Sequence, residues 1–511
     1  MEFADVLVLG SGFDGSLLAM ILAKQGRQVA VVDVEEHPRF ALGESTTPFS
    51  NLTLKQIAST YDLPELNALT SYGSLREQLP GLRCGRKRGA TYFGFDDVAA
   101  HADLSAIRTL LLSASESDYL SDTFWMRSDV DQFFLLVAMS YGVKFCLGCD
   151  YQVFQTGKRW QLTGTAMDQQ IQVSAEFLVD ATGAVGKVFD VLNVPQQVHV
   201  LKTNSSAVYG HFRGLKRVGA MLHDAGVNQS AHPFPCDDAA VHHVLEQGWM
   251  WQFPFDDGTT SVGMMWDGRN GSDETGIGEE VLEGGEANKR LMGVVQASDL
   301  LKEQFERAEI VRPEQGLVST GRLQRLTSRA AGSTWAALPC TAGSIDPLLG
   351  TEIAHSLFGV CRLADILLNC LGPSRAASLT NYSIAVIDQF LWIDELVECC
   401  YQARSNFRLW CDAVLLQSCV VMYQEVGLAS SGQVLKQGFL GADDLALREV
   451  FQEARQRIGS LSTCSVTSDE MKQWRAWLRS SMANWNQVGL FQDDEDFMYS
   501  STAVSDQVRK A

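Results

Sequence analysis

The chain has 511 residues, more than one hydrophobic core needs, so length alone predicts about two to four domains. Its formal net charge of −20 argues against a nucleic-acid partner or an anionic membrane surface held by charge, because a polyanion would be repelled. With 46% hydrophobic and 20% charged residues, the composition is that of a packed protein, not a disordered one.

In chain order, Asp5–Leu9 reads as a buried strand, Gly10–Gly15 as a turn, Ser16–Gln25 as a helix stopped by Gly26, and Gln28–Val34 as a second buried strand. A long irregular stretch is expected from His37 to about Asp97. Ser128–Tyr141 has helical period, with Ser128 as N-cap and Gly142 as stop. Val143–Cys149, Tyr151–Gln155, Trp160–Thr165 and Gln170–Ser174 form a strand meander, and Phe177–Val179 is a short buried strand ending in Asp180-Ala181-Thr182-Gly183. From Asn193 to Arg312 the pattern is strand-rich. There, Trp249-Met250-Trp251-Gln252-Phe253 alternates so that three aromatics share one face, and Asp257-Gly258 turns it into a hairpin with Thr260–Trp266. His242-His243 reads as a polar strand end or loop without metal-ligand spacing. Ser333–Leu338 is a short strand. Helical periods dominate Thr351–Tyr423 and Asp443–Trp485, with a loop or lid over Gly427–Gly441 between them. The aromatics of Asn406–Trp410 and Trp474–Trp485 fall at helical spacing and are expected in the core, and the acidic run Asp493–Asp496 reads as a solvated segment.

Apolar runs such as Ser16–Ala23 and Ala413–Met422 are too short or interrupted to cross a bilayer, so no membrane span is expected. No basic segment and apolar stretch precede the first strand, so no secretory signal is expected. The twelve cysteines are scattered and read as reduced thiols in the cytoplasm. The lone Cys146/Cys149 CxxC lacks the second pair that a structural zinc site needs, and no metal is expected. No HExxH, nucleophile elbow or Walker motif competes for the chemistry.

The strongest motif is Gly10-x-Gly12-x-x-Gly15. The first glycine makes the tight turn, the second lets backbone approach a pyrophosphate, and the third allows close helix–strand packing. The helix start offers N–H groups and the positive end of its dipole to phosphate. Asp33, about twenty residues on at the end of the second strand, can accept hydrogen bonds from a ribose. This is a dinucleotide-binding βαβ unit, and no second glycine triplet follows it.

Five further segments resemble flavin-dependent halogenases and related FAD monooxygenases: Pro38-Arg39-Phe40 with Gly43-Glu44-Ser45, Arg127 in an R-x-x-x-D pattern, Asp180-Ala181-Thr182-Gly183, Gly248-Trp249-Met250-Trp251-Gln252-Phe253-Pro254, and Gly343-Ser344-Ile345-Asp346-Pro347-Leu348. The resemblance covers residues 1 to about 365, and the W-x-W-x-x-P segment is its most specific part. It implies an α/β fold with a glutathione-reductase-like Rossmann FAD-binding domain (1–80, 100–190 and 320–365), a β-rich substrate sheet (81–99 and 191–319) and a helical C-terminal region (366–511). The FAD contacts it implies are Gly10, Gly12, Gly15, Asp33, Arg39, Ser45, Arg127, Asp180, Gly183, Asp346 and Pro347.

The activity implied is halogenation. FADH₂ from a separate reductase, with O₂, turns a halide ion into hypohalous acid. A wall of Trp249, Trp251 and Phe253 keeps the organic substrate away, and a lysine delivers the halogen to an electron-rich aromatic or heteroaromatic ring, free or carrier-bound. Lys87, in Arg86-Lys87-Arg88-Gly89-Ala90, resembles that lysine, and its flanking arginines are expected to depress its pKa. The sequence departs from the family in three places, one being Leu349, which stands where tryptophan halogenases are expected to carry a glutamate beside the lysine. Gly350-Thr351-Glu352 replaces the usual Ser-Thr-Gly, so Thr351 and Glu352 stand at the implied halide site, where an inward carboxylate would repel an anion. Pro339-Cys340 stands where many flavoproteins hold the ribitol with Gly-Asp. The alternatives are an FAD monooxygenase or oxidoreductase that uses no halide, and a flavin-binding partner without turnover.

Overall fold

The computed structural model describes residues 2–94, 107–270, 284–432, 434, 438–462, 466–491 and 497–500. Glu2–Leu9 (β1) pairs in parallel with Val29–Val32 (β2) on one side and Gln169–Asp180 on the other. Val6–Leu9 and all of β2 are buried, as strands covered on both faces must be. Phe13–Lys24 (α1) links them and is buried without a break from Phe13 to Leu22. A helix apolar on all sides cannot face water, and α1 lies among the sheet and the helices Arg127–Ser140 and Glu352–Asn369. Lys144–Cys146 and Trp335–Ala337 continue the parallel sheet, while Asp150–Thr156 and Arg159–Ala166 hang antiparallel from Gln169–Asp180. This is the expected Rossmann-type α/β core.

A second sheet has nine strands among the described residues. Its centre is the expected hairpin, Gly248–Pro254 against Thr259–Asp267, flanked by Ser205–Arg213 and Ala240–Leu245. Trp251 faces Gly263 across the hairpin, and a Cβ on Gly263 would meet the indole at 2.0 Å. Glycine there lets the ring lie flat on the sheet. Gly89–Gly94 joins beside Ala240–Leu245, and Arg108–Ser113 pairs with Gly89–Gly94. Residues 108–113 therefore belong to this sheet and not to the nucleotide-binding part in which sequence placed them.

Two local expectations also change. The stretch from His37 to Asp97 is not irregular where it is described. It contains the helix Pro48–Tyr61 (α2), a short helix Tyr72–Gln78, and strands Cys84–Lys87 and Gly89–Gly94. The start signal of α2 is in the sequence: Thr47 caps Ser50 N–H and Pro48 occupies the first turn. Second, His242 and His243 lie inside the strand Ala240–Leu245, both buried, stacked on Tyr92 and Phe93 at 4.4 and 5.6 Å. The helix expected to start after Ser128 begins at Arg127 with Met126 as its cap, because Ser128 Oγ bonds Asp129 and receives Arg83.

The C-terminal region is helical as expected: Glu352–Asn369, Gly372–Ala403, Phe407–Ser431, Leu445–Leu461 and Ser468–Ser481. Phe407–Ser431 is long and apolar enough to span a bilayer, which the shorter run Ala413–Met422 had concealed. It packs instead against α2 and Gly372–Ala403, with Leu409, Trp410, Leu415 and Leu416 buried. That helix also takes up part of the loop expected over Gly427–Gly441, ending at Gly432 with φ +60°. The run Asp493–Asp496 lies outside the described residues.

Candidate active site

The cleft begins at the glycine turn. Gly10 has φ +99°, and a Cβ there would meet Ala181 O at 2.3 Å, so only glycine lets this turn rest on the Asp180–Gly183 turn. A Cβ on Gly15 would lie 2.4 Å from Gly10 O, which brings the start of α1 equally close. Among the described residues, the first-turn N–H groups of Phe13 and Asp14 have no protein acceptor, leaving the start of α1 receptive to an anion. Asp33 and Asp180 support this geometry from behind. Asp180 accepts from Thr182 N, Thr182 Oγ1 and Val188 N at 2.6–3.0 Å. Asp33, expected to take a ribose, is occupied by Ser11 N and Oγ at 2.6 and 2.7 Å and by Arg39 at 3.0 Å. Burial alone would raise its pKa, but Arg39 and Ser11 outweigh it and hold the carboxyl below the usual range.

Gly12, Arg39, Arg127, Gly183, Asp346, Thr351 and Glu352, from six separate segments, line one cavity. Arg127 grips both oxygens of Asp131 at 2.8 and 2.9 Å, donates to the Leu42 and Gly43 carbonyls, and lies 4.9 Å over the Phe13 ring. It thereby ties the Gly43-Glu44-Ser45 segment to the glycine turn. The walls suit a dinucleotide: an anion-receptive helix start, a fixed guanidinium, and a backbone approach that no Cβ blocks at Gly12.

A second cavity shares Leu42, Gly43, Glu352 and Ile353 with the first. Ser45, Pro347, Trp249, Trp251 and Phe253 line it, with neighbouring aromatic centroids at 5.8 and 6.3 Å. Trp249 Nε1 donates to the Tyr401 hydroxyl at 3.2 Å, and Tyr401 donates to Asp346 at 2.6 Å. Ser205 Oγ adds a third link at 2.7 Å. Burial pushes the Asp346 carboxyl up to about 6 against these donors. Beside the cavity, Glu44 meets His211 at 2.7 Å, both buried. Neither Tyr401 nor His211 carries a sequence motif. Each is one residue on a buried helix or strand face, and only the fold brings it here.

Glu352 does point inward. It lines both cavities, and its exposed surface opens to the cleft. Burial raises its pKa, with Arg127 opposing and Asp346 reinforcing. A raised pKa widens the pH range over which the carboxyl is neutral, and a neutral carboxyl donates a hydrogen bond to an anion instead of repelling it.

Lys87 is not among the residues lining either cavity. Strand alternation turns it inward, where it is buried and donates to the Thr46 carbonyl at 2.5 Å, next to Ser45. Arg86 and Arg88 turn the other way, to Asp118 and to Asp238 or Ser115 O. The depression of its pKa thus comes from burial, opposed by Asp122 and Glu425, and not from the neighbouring arginines. His242 links it to the tryptophans: its ring lies 5.4 Å from Trp249, and its pKa is pushed down to about 3 by burial, with Lys87 contributing. Trp249 lines the cavity, His242 packs against Trp249, and Lys87 acts electrostatically on His242.

The family profile described as Tryptophan halogenase matches residues 120–439, more than half of the 511. The chain is 26% identical over 417 residues to monodechloroaminopyrrolnitrin halogenase PrnC of Pseudomonas fluorescens, covering 80% of this chain and 69% of that one. It is 26% identical over 423 residues to the tetracycline 7-halogenase of Kitasatospora aureofaciens, covering 80% and 71%. The crystal structure of halogenase PltM in complex with phloroglucinol and FAD superposes with a TM-score of 0.82 at 20% identity, over 97% of this chain and 99% of that one. At that identity the superposition establishes the fold.

Proposed function

The chain belongs to the tryptophan halogenase family of flavin-dependent enzymes, and from that premise we propose an FADH₂- and O₂-dependent halogenase that forms hypohalous acid in the cleft and delivers the halogen through Lys87 to an electron-rich aromatic or heteroaromatic ring. The observation that carries this is the order of residues: two tryptophans face the cavity beside the cleft, and a buried lysine lies behind them. Such a wall keeps an aromatic substrate from the cleft while leaving a small oxidant the shorter path.

FAD, once bound and reduced, would supply two of the four electrons that reduce O₂, the halide giving up the other two as it becomes hypohalous acid. The protein's part is positioning. The start of α1 receives the pyrophosphate, and Arg127 fixes the segment between the two cavities. Thr351 and Glu352, whose carboxyl pKa is raised, hold the halide at the end of the cleft. A lysine whose charge burial disfavours holds the electrophilic halogen by its amine, which a solvated ammonium would not do. An electrophile of this kind selects electron-rich rings. The single glycine triplet calls for a separate flavin reductase, and the free thiols of the described cysteines fit a cytoplasmic setting. The substrate is a small aromatic, free or on a carrier.

The test supplies flavin reductase, NADH, FAD and chloride or bromide with phenols, indoles and pyrroles, and reads products by mass spectrometry. Halide-dependent halogenated product supports the reading. Oxygenated product that is indifferent to halide replaces it with a monooxygenase.

A further inference from the structure

Cys340 lines the cleft at the position where sequence leaves the flavin side chain without its usual carboxylate. The structure supplies a carboxylate from the opposite wall. Asp14, in the first turn of α1, lines the same cavity, and its Oδ2 lies 2.7 Å from Cys340 Sγ. Its Oδ1 accepts the Gly15 N–H at 2.9 Å, so the carboxyl is held and not swinging. Asp14 is buried in the body of the protein, as an aspartate in a helix otherwise apolar on every side rarely is. No cation pairs with it at salt-bridge distance among the described residues, and Arg127 acts on it from further off.

Three kinds of ligand group could meet this pair. A phosphate would be repelled by the carboxylate. An apolar ring would leave the carboxylate with only the Cys340 thiol and the Gly15 N–H as donors. Hydroxyl groups add the donors that a buried carboxylate can still accept. The pair also lies between the start of α1, which suits phosphate, and the Asp346–Glu352 end of the cleft. We propose that Asp14, with Cys340, binds the polyol chain joining the flavin ring to its pyrophosphate, so that the carboxylate lost from one wall is restored from the other. This rests on the reading of the cleft as a flavin site. Burial raises the pKa of the Asp14 carboxyl, which also suits a neutral polyol contact better than an ion pair.

The experiment titrates FAD into wild type, Asp14→Ala, Asp14→Asn, Cys340→Asp and the double variant Asp14→Ala/Cys340→Asp, following flavin fluorescence and the unfolding midpoint of each apoprotein. Wild type tests the flavin reading itself. For the assignment, Asp14→Ala weakens FAD binding by about tenfold or more, as expected for one lost hydrogen bond to an ionisable group. The double variant recovers most of that loss. Asp14→Asn, isosteric and foldable where alanine is not, falls between. ADP, which lacks the polyol, competes equally with wild type and the variants. FAD binding that is unchanged or tighter in Asp14→Ala and Asp14→Asn overturns the proposal, as does a double variant that recovers nothing.

Discussion

The nucleotide cleft and the tryptophan–lysine side are built in opposite ways. The cleft's walls come from several segments, but its anchor is local: three glycines within six residues, one helix start and one arginine with its aspartate four residues on. The other side is assembled from afar. Lys87, His242, Trp249, Tyr401 and Glu425 come from two strands of one sheet, a separate short strand and two C-terminal helices. A local site tolerates drift elsewhere in the chain. A non-local one fails whenever any supporting element shifts, but it can be retuned one residue at a time. In the terms of the proposed function, binding is vested in the geometry of a turn, and delivery in the packing of a core.

The comparison makes its strongest claim at Lys87. Lys87→Ala lowers halogenation by about 10²–10⁴-fold, the range for removing one positioned catalytic group, while FAD affinity stays as in wild type. Product mass spectrometry with flavin titration reads both. Equal loss of binding and turnover would show that the two sides are one unit. The converse test is Gly10→Ala. Positive φ and a Cβ 2.3 Å from Ala181 O cost about 2–4 kcal/mol, seen as weaker FAD binding or a lower unfolding midpoint. A variant that binds FAD normally would remove the turn from the site.

This division also decides what the sequence discloses. The βαβ unit is legible because its signals are contiguous: strand, glycines, apolar helix, strand. The hairpin is legible because alternation and Asp257-Gly258 fall within one window. Lys87 sits among arginines and reads as surface by composition; only the period of two in Cys84–Lys87 turns it inward, and that short strand lies in a stretch that reads as irregular. His242 and His243 look polar and are core, because Tyr92 and Phe93 on a strand about 150 residues away cover them. Tyr401 carries no motif at all. Asp33 is legible by its motif, but the contacts of its Oδ2 with Ser11 and Arg39 are not.

Glu352 stands where the two sides meet, and it gives a smaller, pH-dependent effect. Its pKa is raised by burial, so the neutral form prevails at low pH and the charge appears as pH rises through that raised value. The halide KM is therefore expected to climb with pH in wild type. Glu352→Gln, neutral throughout, flattens the climb, with a difference of about tenfold at the alkaline end, equivalent to ~1.4 kcal/mol of anion repulsion. Bromide KM measured from acid to alkaline pH, over the range in which both proteins stay folded, checks this. Parallel curves for the two proteins would place the halide away from Glu352.

The smallest effect belongs to Tyr401, the link between the regions: its hydroxyl receives Trp249 Nε1–H and donates to Asp346. Tyr401→Phe leaves the buried Trp249 Nε1–H without its acceptor and the buried Asp346 one donor short. Tyr401 lowers the Asp346 pKa, which burial has pushed up to about 6, so its hydroxyl favours the ionised carboxylate. Its loss must then cost more above that pH, where Asp346 is charged, than below it, where Asp346 is protonated. A hydrogen bond to a charged group contributes about 2 kcal/mol and a neutral one about 1, so the stability gap between wild type and Tyr401→Phe should roughly halve from pH 8 to pH 5 in denaturant unfolding. The same variant frees the Trp249 ring from the cleft. If turnover falls while FAD affinity holds, the coupling runs from the cleft to the wall through this hydroxyl; if both hold, this hydroxyl does not couple the two regions.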